Sequence, residues 1–404
     1  MSLRLKKLKI AIVVHGRFHA FDLARELLKR GHEVILFTNY PKYVAGKFGI
    51  PRINTRTFLL HGVLSKIGSF MERLLGVRFL EAFLHRLFGF WAKKELEKES
   101  WDVIHCWSGI SEECLQYPKI SRTLKFLMRG SSHIRTQSNI LEEEMRRTGI
   151  SIDRPSPWMI AREEREYALA DKICVLSQFC RDTFIEQGIS MQKLSILLLG
   201  AAREVFRPIE CVVEERYARI LSGQPLRVLY VGALSFRKGF FDMERILGRI
   251  DRNRFQFRFV GPCAHELREF LKRPSFCGTE IVPKQPQDQL PVHYAWADIF
   301  IFPTLEEGYP QVLAQAAVSG LPILTTLNGA GSDIVKNGKT GWILPIREPE
   351  KFVQCLNECD NQRRHLAEIT RFIYQEFKPR YASDVAADFE KICTEELEKI
   401  RDSR

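Results

Sequence analysis

None of the ten cysteines in this 404-residue chain forms a C-x-x-C pair. They lie at 106, 114, 174, 180, 211, 263, 277, 355, 359 and 393. Such a spread fits neither a disulfide scaffold nor a zinc site and predicts reduced thiols in a cytosolic protein. The chain also lacks any uncharged apolar run of about 18 residues, so no membrane-spanning helix is expected. Its opening, MSLRLKKLKIAIVVHG, has a signal-like shape, but the apolar core at 10–14 is too short and no small-residue cleavage site follows. This opening reads as a first buried strand. Short-period repeats and low-complexity tracts are absent. Acidic residues are scarce at one end: residues 1–100 hold 19 Lys/Arg against 8 Asp/Glu, whereas 101–404 hold 42 against 41. Nearly all of the net charge of +12 therefore sits in the first quarter. That excess suits an anionic partner (a membrane surface, an acidic acceptor or nucleic acid) or simply a solvated basic face.

What is present is a full-sized globular composition, 45% apolar and 27% charged, in a chain long enough for two domains. Strand and helix signals alternate. KIAIVV, HEVILFTN, VIHCWS, TLKFLMRG, KICVLS and KLSILLLG read as strands, with helices over FDLARELLKRG, AREEREYALA and QFCRDTFIEQG. A break falls at about 206–225. The pattern restarts with RVLYVGA, helix GFFDMERILGRI, strand QFRFVGP, helix AHELREFLKR and strands DIFIFP, PILTT and GWILP, followed by helices from about Glu348. Two such arrays predict two doubly wound parallel-sheet α/β domains facing across a cleft. Their expected extents are 1–208 and 209–384, with a terminal helix at 385–404 packing back on the first.

One segment, IGSFMERLLGVRFLEAFLHRLFGFWAKK, places apolar residues at 67, 70, 71, 74, 80, 83, 84, 87 and 91, close to one helical face. Phe79, Phe88, Phe90 and Trp91 widen that face, and Arg73, Arg78, Arg86, Lys93 and Lys94 surround it. It packs on the first sheet, or residues 64–97 form a lip resting on an anionic membrane. Nucleic acid is disfavoured, because no DNA- or RNA-binding motif accompanies the charge.

Two stretches carry candidate chemistry. FPTLEEGYPQVLAQAAVSGLPILTT, at 302–326, reads as strand, acidic loop, helix, glycine stop and strand, with Pro310 at the first helical position. The free N–H groups of that helix would face an anion at the carboxyl end of a strand. Glu307 precedes it and Gln315 projects from its second turn. A carboxylate beside a phosphate site suggests a ligand with both phosphate and hydroxyls, such as a nucleotide-sugar. In VGALSFRKGF, at 231–240, Arg237 and Lys238 open a helix after a core strand and form a candidate diphosphate clamp.

Together with LSQFCRDTFIEQGI, KLSILLLG, VFRP and KNGKTGWILP in this order, these segments resemble the family-4 glycosyltransferases of GT-B fold over most of the chain. The resemblance implies two Rossmann-like domains and a nucleoside-diphosphate sugar held by the second. It maps the diphosphate loop to Gly232 through Gly239, including Arg237 and Lys238. It maps the donor loop to Glu307, Gly308 and Tyr309, continuing into Gln311, Val312 and Gln315. It also puts a histidine, here His133 in RGSSHIRTQ, above the donor sugar. Gly16 and Arg17 would face the cleft, with His19 and Arg135 as further candidates. Glu307 would hold donor hydroxyls and Gln315 the ribose. No metal or other cofactor is implied, since the cations take that role and no Asp-x-Asp motif occurs. The sequence departs from the family pattern at Gln315 (an acid there), Pro310 (a glycine) and Ala233 (often arginine).

The resulting expectation is a retaining glycosyltransferase with a glycan or lipid-linked acceptor, working in envelope or extracellular polysaccharide or glycolipid synthesis. It would be cytoplasmic, at the inner face of the plasma membrane. A nucleotide-sugar-binding protein without turnover and a nucleotide-sugar epimerase remain as alternatives.

Overall fold

The computed structural model describes residues 7–75, 80–117, 123–201 and 203–402. Arg78 and Phe79 of the basic aromatic segment, and the Arg73 and Leu74 side chains, lie outside what it describes. The first sheet comprises β1 (Lys9–Val14), β2 (Glu33–Thr38), β3 (Thr55–Thr57), β4 (Val103–Trp107), β5 (Leu124–Arg129), β6 (Lys172–Val175) and β7 (Leu194–Ile196). These seven strands are ordered β3-β2-β1-β4-β5-β6-β7 and all pair in parallel. The second sheet comprises β8 (Leu226–Val231), β9 (Phe255–Val260), β10 (Glu280–Val282), β11 (Ile299–Phe302), β12 (Ile323–Thr326) and β13 (Gly341–Leu344). Its order is β10-β9-β8-β11-β12-β13, again parallel throughout. Both are the doubly wound arrangement that the alternating signals predict. Continuous apolar strands such as Ile10 to Val14 follow from burial on both sheet faces, since helices cover each side.

In a sheet of this order the connections leave in opposite directions on either side of one strand pair, and a crevice opens at the carboxyl ends there. The pair is β1 and β4 in the first sheet and β8 and β11 in the second. The loop at 232–239 leaves β8 and the loop at 303–310 leaves β11, so both candidate segments converge on one switch point.

Several local expectations are corrected. AHELREFLKR is not an α-helix but a run of 3-10 turns, His265–Leu267, Phe270–Lys272 and Pro274–Phe276. Its buried residues Leu267, Phe270 and Phe276 recur at multiples of three, the period of that tighter helix. The break at 206–225 carries a helix of its own, Glu210–Leu221. Arg237 and Lys238 do not open a helix. They sit in the 3-10 turn Phe236–Lys238, and the helix Phe240–Leu247 begins after Gly239. Pro310 caps the helix Gln311–Val318 from outside rather than occupying its first turn.

The last helix, Ala382–Asp402, returns to the first sheet. Phe389 packs on Phe126 and His105 with ring centroids 5.5 and 4.7 Å apart, and Arg30 pairs with Glu390. The basic aromatic segment forms two helices, Leu59–Leu75 and Glu81–Leu96. Phe88, Ala92 and Leu96 of the second pack against Ile35, Phe37 and Ile104 of the sheet. Phe70, Phe83 and Phe90 instead stay 62%, 55% and 60% exposed.

Gly239 shows how tightly the two site loops are docked. Its φ is +78°, and a Cβ there would lie 1.9 Å from the Pro303 carbonyl oxygen. Both strain and clash oppose any side chain. Gly239→Ala should therefore lower stability by roughly 3 kcal/mol, read as a fall in the denaturant midpoint, whereas Gly338→Ala, with open space at a similar φ, should cost far less.

Candidate active site at the interdomain cleft

A cavity of about 1330 Å³ separates the two domains. Its first-domain wall includes His15, Arg17, Phe18, His19, Trp107 and Arg129, and its second-domain wall includes Arg237, Glu307, Tyr309, Gln311 and Gln315. Five of the sequence-derived donor residues thus share one wall. The loop after β11 is seated on the turn after β8 by two bonds to one carbonyl: Leu305 N–H donates to the Arg237 carbonyl at 3.0 Å, and the Thr304 side-chain Oγ1 donates to the same oxygen at 3.4 Å.

The charges are arranged around Arg237. Its guanidinium donates to Glu306 Oε2 at 3.0 Å and to Glu307 Oε1 at 3.0 Å. Lys238, only 8% exposed, forms an ion pair with Glu307 and lies near the Phe302 ring. Burial, then repulsion from Arg237, pushes the Lys238 ammonium well below its ordinary pKa, with Glu306 opposing. Lys238 does not line the cavity, and its ion-pair partner Glu307 does.

Glu306 is the residue that sequence reasoning missed. It is fully buried and does not line the cavity. Burial pushes its carboxyl up, but the Arg237 charge and hydrogen bonds from Ser131 and Ser132 outweigh that and hold it at about 2. Oε1 accepts from Ser131 Oγ, from Ser132 N–H at 2.9 Å and from Ser132 Oγ at 2.8 Å, while Oε2 accepts from Gln137 Nε2 at 3.0 Å. Those donors come from the other domain. Two adjacent acids in a loop between apolar strands were the available signal.

Gln315 is buried, and its Oε1 accepts from Tyr294 Oη at 2.9 Å, leaving the amide N–H groups for the cavity. The remaining donor-loop residues have other surroundings. Gly232 lies against Gly261 with φ +150°, Gly308 abuts the Gly130 carbonyl, and Val312 packs on the second-domain core. None of the three lines the cavity.

His133 does not line the cavity. It caps the helix Ile134–Thr148, with Nδ1 accepting from Arg135 N–H at 3.2 Å, and its ring packs on Tyr167 and Phe184 at 5.0 and 4.9 Å. Burial lowers its pKa to about 4, and it faces the first-domain core instead of the cavity. The apolar neighbours that claim it lie far along the chain, so no local pattern reveals them. Arg135 likewise turns away, paired with Glu164. Gly16, with φ +97°, donates its N–H to Asn39 Oδ1 at 2.9 Å and sets the turn that puts Arg17 on the cavity wall. The histidines that do reach the cleft are His15 and His19, both held neutral by burial at about 3 and about 4.

Two Rossmann-like domains with a charged loop pair at the switch point of the second define a GT-B glycosyltransferase fold. The chain superimposes on Anabaena Alr3699/HepE, crystallised with UDP, at a TM-score of 0.68 and 13% identity, covering 96% of this chain and all of that one. The family described as Glycosyltransferase Family 4 matches residues 17–201, and that described as Glycosyl transferases group 1 matches residues 225–361. The chain belongs to these group 1, family-4 glycosyltransferases. Among curated relatives, the amylovoran biosynthesis glycosyltransferase AmsK of Erwinia amylovora is 25% identical over 206 residues, 48% of each chain. The GDP-mannose-dependent alpha-(1-6)-phosphatidylinositol monomannoside mannosyltransferase of Mycobacterium tuberculosis is 25% identical over 203 residues, 46% of this chain and 52% of that one. The chain spans about half the length, or less, of the curated relatives it matches.

The Glu306 carboxyl sits below its ordinary 4.5 in the folded protein, so it adds stability that is complete above about pH 4.5 and lost as pH falls toward 2. Wild type should exceed Glu306→Gln in unfolding free energy by up to about 3 kcal/mol at neutral pH. The difference should shrink steadily in acid, measured by denaturant unfolding across pH 2 to 7.

Proposed function

We propose that the protein transfers a sugar from a nucleoside-diphosphate sugar to an acceptor hydroxyl, with retention at the anomeric carbon. The observation that carries this reading is the pair Arg237 and Lys238, held by carboxylates on the second-domain side of the cleft. A diphosphate replaces Glu307 as the partner of both cations. Charge growing on the leaving diphosphate as the glycosidic bond breaks is then met by groups already fixed in place, which is electrostatic catalysis. The freed Glu307 carboxylate accepts from donor-sugar hydroxyls, and the Gln315 amide donates to the ribose. Arg237, Lys238 and the first N–H groups of the helix Gln311–Val318 supply the positive charge, and the reading assigns no metal. Anabaena HepE supports a nucleotide donor, having been crystallised with UDP-glucose on the same fold. Retention rests on the likeness to family 4.

The names of AmsK and the mycobacterial mannosyltransferase favour an acceptor in polysaccharide or glycolipid synthesis. The exposed rings of Phe70, Phe83 and Phe90, on helices that also carry Lys66, Arg86 and Lys94, suit an anionic membrane at the inner cell face. Among the described residues no helix is long and apolar enough to cross a membrane. Co-sedimentation should be stronger with vesicles containing phosphatidylglycerol than with pure phosphatidylcholine, and Phe83→Ser/Phe90→Ser should weaken it.

Calorimetric titration with UDP, GDP, ADP and dTDP should show selective binding of one nucleotide. Arg237→Ala/Lys238→Ala should weaken that binding on the order of a hundredfold. Failure of folded wild type to bind any of the four overturns the donor assignment. Tight binding with neither transfer nor slow donor hydrolysis would instead indicate a binding protein without turnover.

A further inference from the structure

Arg237 is shared between two carboxylates that differ in every respect but charge. Glu307 lines the cavity and is bonded across to Lys238. Glu306 lies behind the wall, out of reach of anything in the cavity, with both oxygens filled by donors from the first domain. A ligand entering the cavity therefore competes with Glu307 for Arg237 and leaves Glu306 in place.

We propose that Glu306 is a positioning residue, fixing Arg237 at the diphosphate site only while the first-domain loop 130–132 is seated on it. The inference rests on the reading that Arg237 receives a diphosphate.

Three observations support it. A buried carboxylate is tolerated when its lone pairs are filled, and here most of the filling comes from Ser131, Ser132 and Gln137 across the cleft. Separating the domains removes those donors, exposes the carboxylate to water and frees the guanidinium to follow. The contact is also sterically exact at one neighbour: a Cβ on Gly308 would lie 2.1 Å from the Gly130 carbonyl oxygen, so the loops approach backbone to backbone. Finally, the seat is anchored in the first-domain core. Gln137 Oε1 accepts from Arg129 at 2.7 Å, Arg129 donates to Glu163 at 3.2 Å, and Tyr167 Oη donates to Glu163 at 2.7 Å. One line of fixed polar contacts thus runs from the centre of one domain to the phosphate-binding cation of the other. Closing the cleft completes the clamp, and an open protein presents Arg237 without its fixed orientation.

The test is a double-mutant cycle on affinity for whichever of UDP, GDP, ADP and dTDP wild type binds, with small-angle scattering of the unliganded proteins. Ser131→Ala/Ser132→Ala should weaken binding about tenfold in wild type. The same pair should have less than a twofold effect in Glu306→Gln, because the path to Arg237 is already cut. Glu306→Asp, which keeps the charge, should recover part of the loss that Glu306→Gln shows, and Glu306→Gln should have a larger radius of gyration than wild type. An equal effect of the serine pair in both backgrounds, as direct contact of Ser131 with ligand would give, overturns the proposal. So does binding that needs Arg237 and Lys238 yet ignores both serines. A folded wild type that binds none of the four nucleotides overturns the donor reading, and this inference with it.

Discussion

Four charges lie together between the two sheets, and each depends on the others for its partner. Arg237 lies between Glu306 and Glu307, and Lys238 is buried against Glu307. A charge taken out of water is costly unless it is paired and hydrogen-bonded, so this cluster stands only as a unit. It needs the turn after β8 to hold the cations and the loop after β11 to hold the acids. It also needs the first-domain serines to fill the lone pairs that those cations leave over. The tight backbone contacts of Gly239 with Pro303 and of Gly308 with Gly130 lie in the same loops that hold that unit.

The same cluster makes the site responsive. In the proposed function a bound anion replaces Glu307 without stranding a charge, because Glu307 faces the cavity and water or sugar hydroxyls then solvate it. Glu306 has no such exit. The two neighbouring acids in LEEG thus divide one task, with the outer one exchangeable and the inner one fixed. The depressed pKa of Glu306, at about 2, keeps the inner anchor charged throughout the physiological range.

Much of this was legible in the sequence, and the limits have physical causes. Apolar runs such as KIAIVV and RVLYVG announce buried parallel strands because both faces are covered. Chain order then places the 232–239 and 303–310 loops at the same sheet end. Arg237, Glu307, Tyr309, Gln311 and Gln315, all in or just after those two loops, line one cavity. Boundaries failed where tertiary contacts overrode local pattern. Gly239 in the left-handed region separates the cations from the helix they were expected to open, and Leu267, Phe270 and Phe276 draw a helical sequence into 3-10 turns. The surroundings of His133 and Glu306 were not legible, for one shared reason. What surrounds each comes from distant segments, Tyr167 and Phe184 for the first, Ser131, Ser132 and Gln137 for the second. No spacing along the chain encodes those meetings.

The central question is whether a diphosphate displaces Glu307 from the two cations. A crystal structure of the protein grown with the nucleoside diphosphate it binds tests this directly. Diphosphate oxygens should lie within hydrogen-bond distance of Arg237 and Lys238, with Glu307 turned away from both and Glu306 still joined to Arg237 and Ser132. A diphosphate bound elsewhere in the cleft, with the Arg237–Glu307 and Lys238–Glu307 pairs intact, would contradict it.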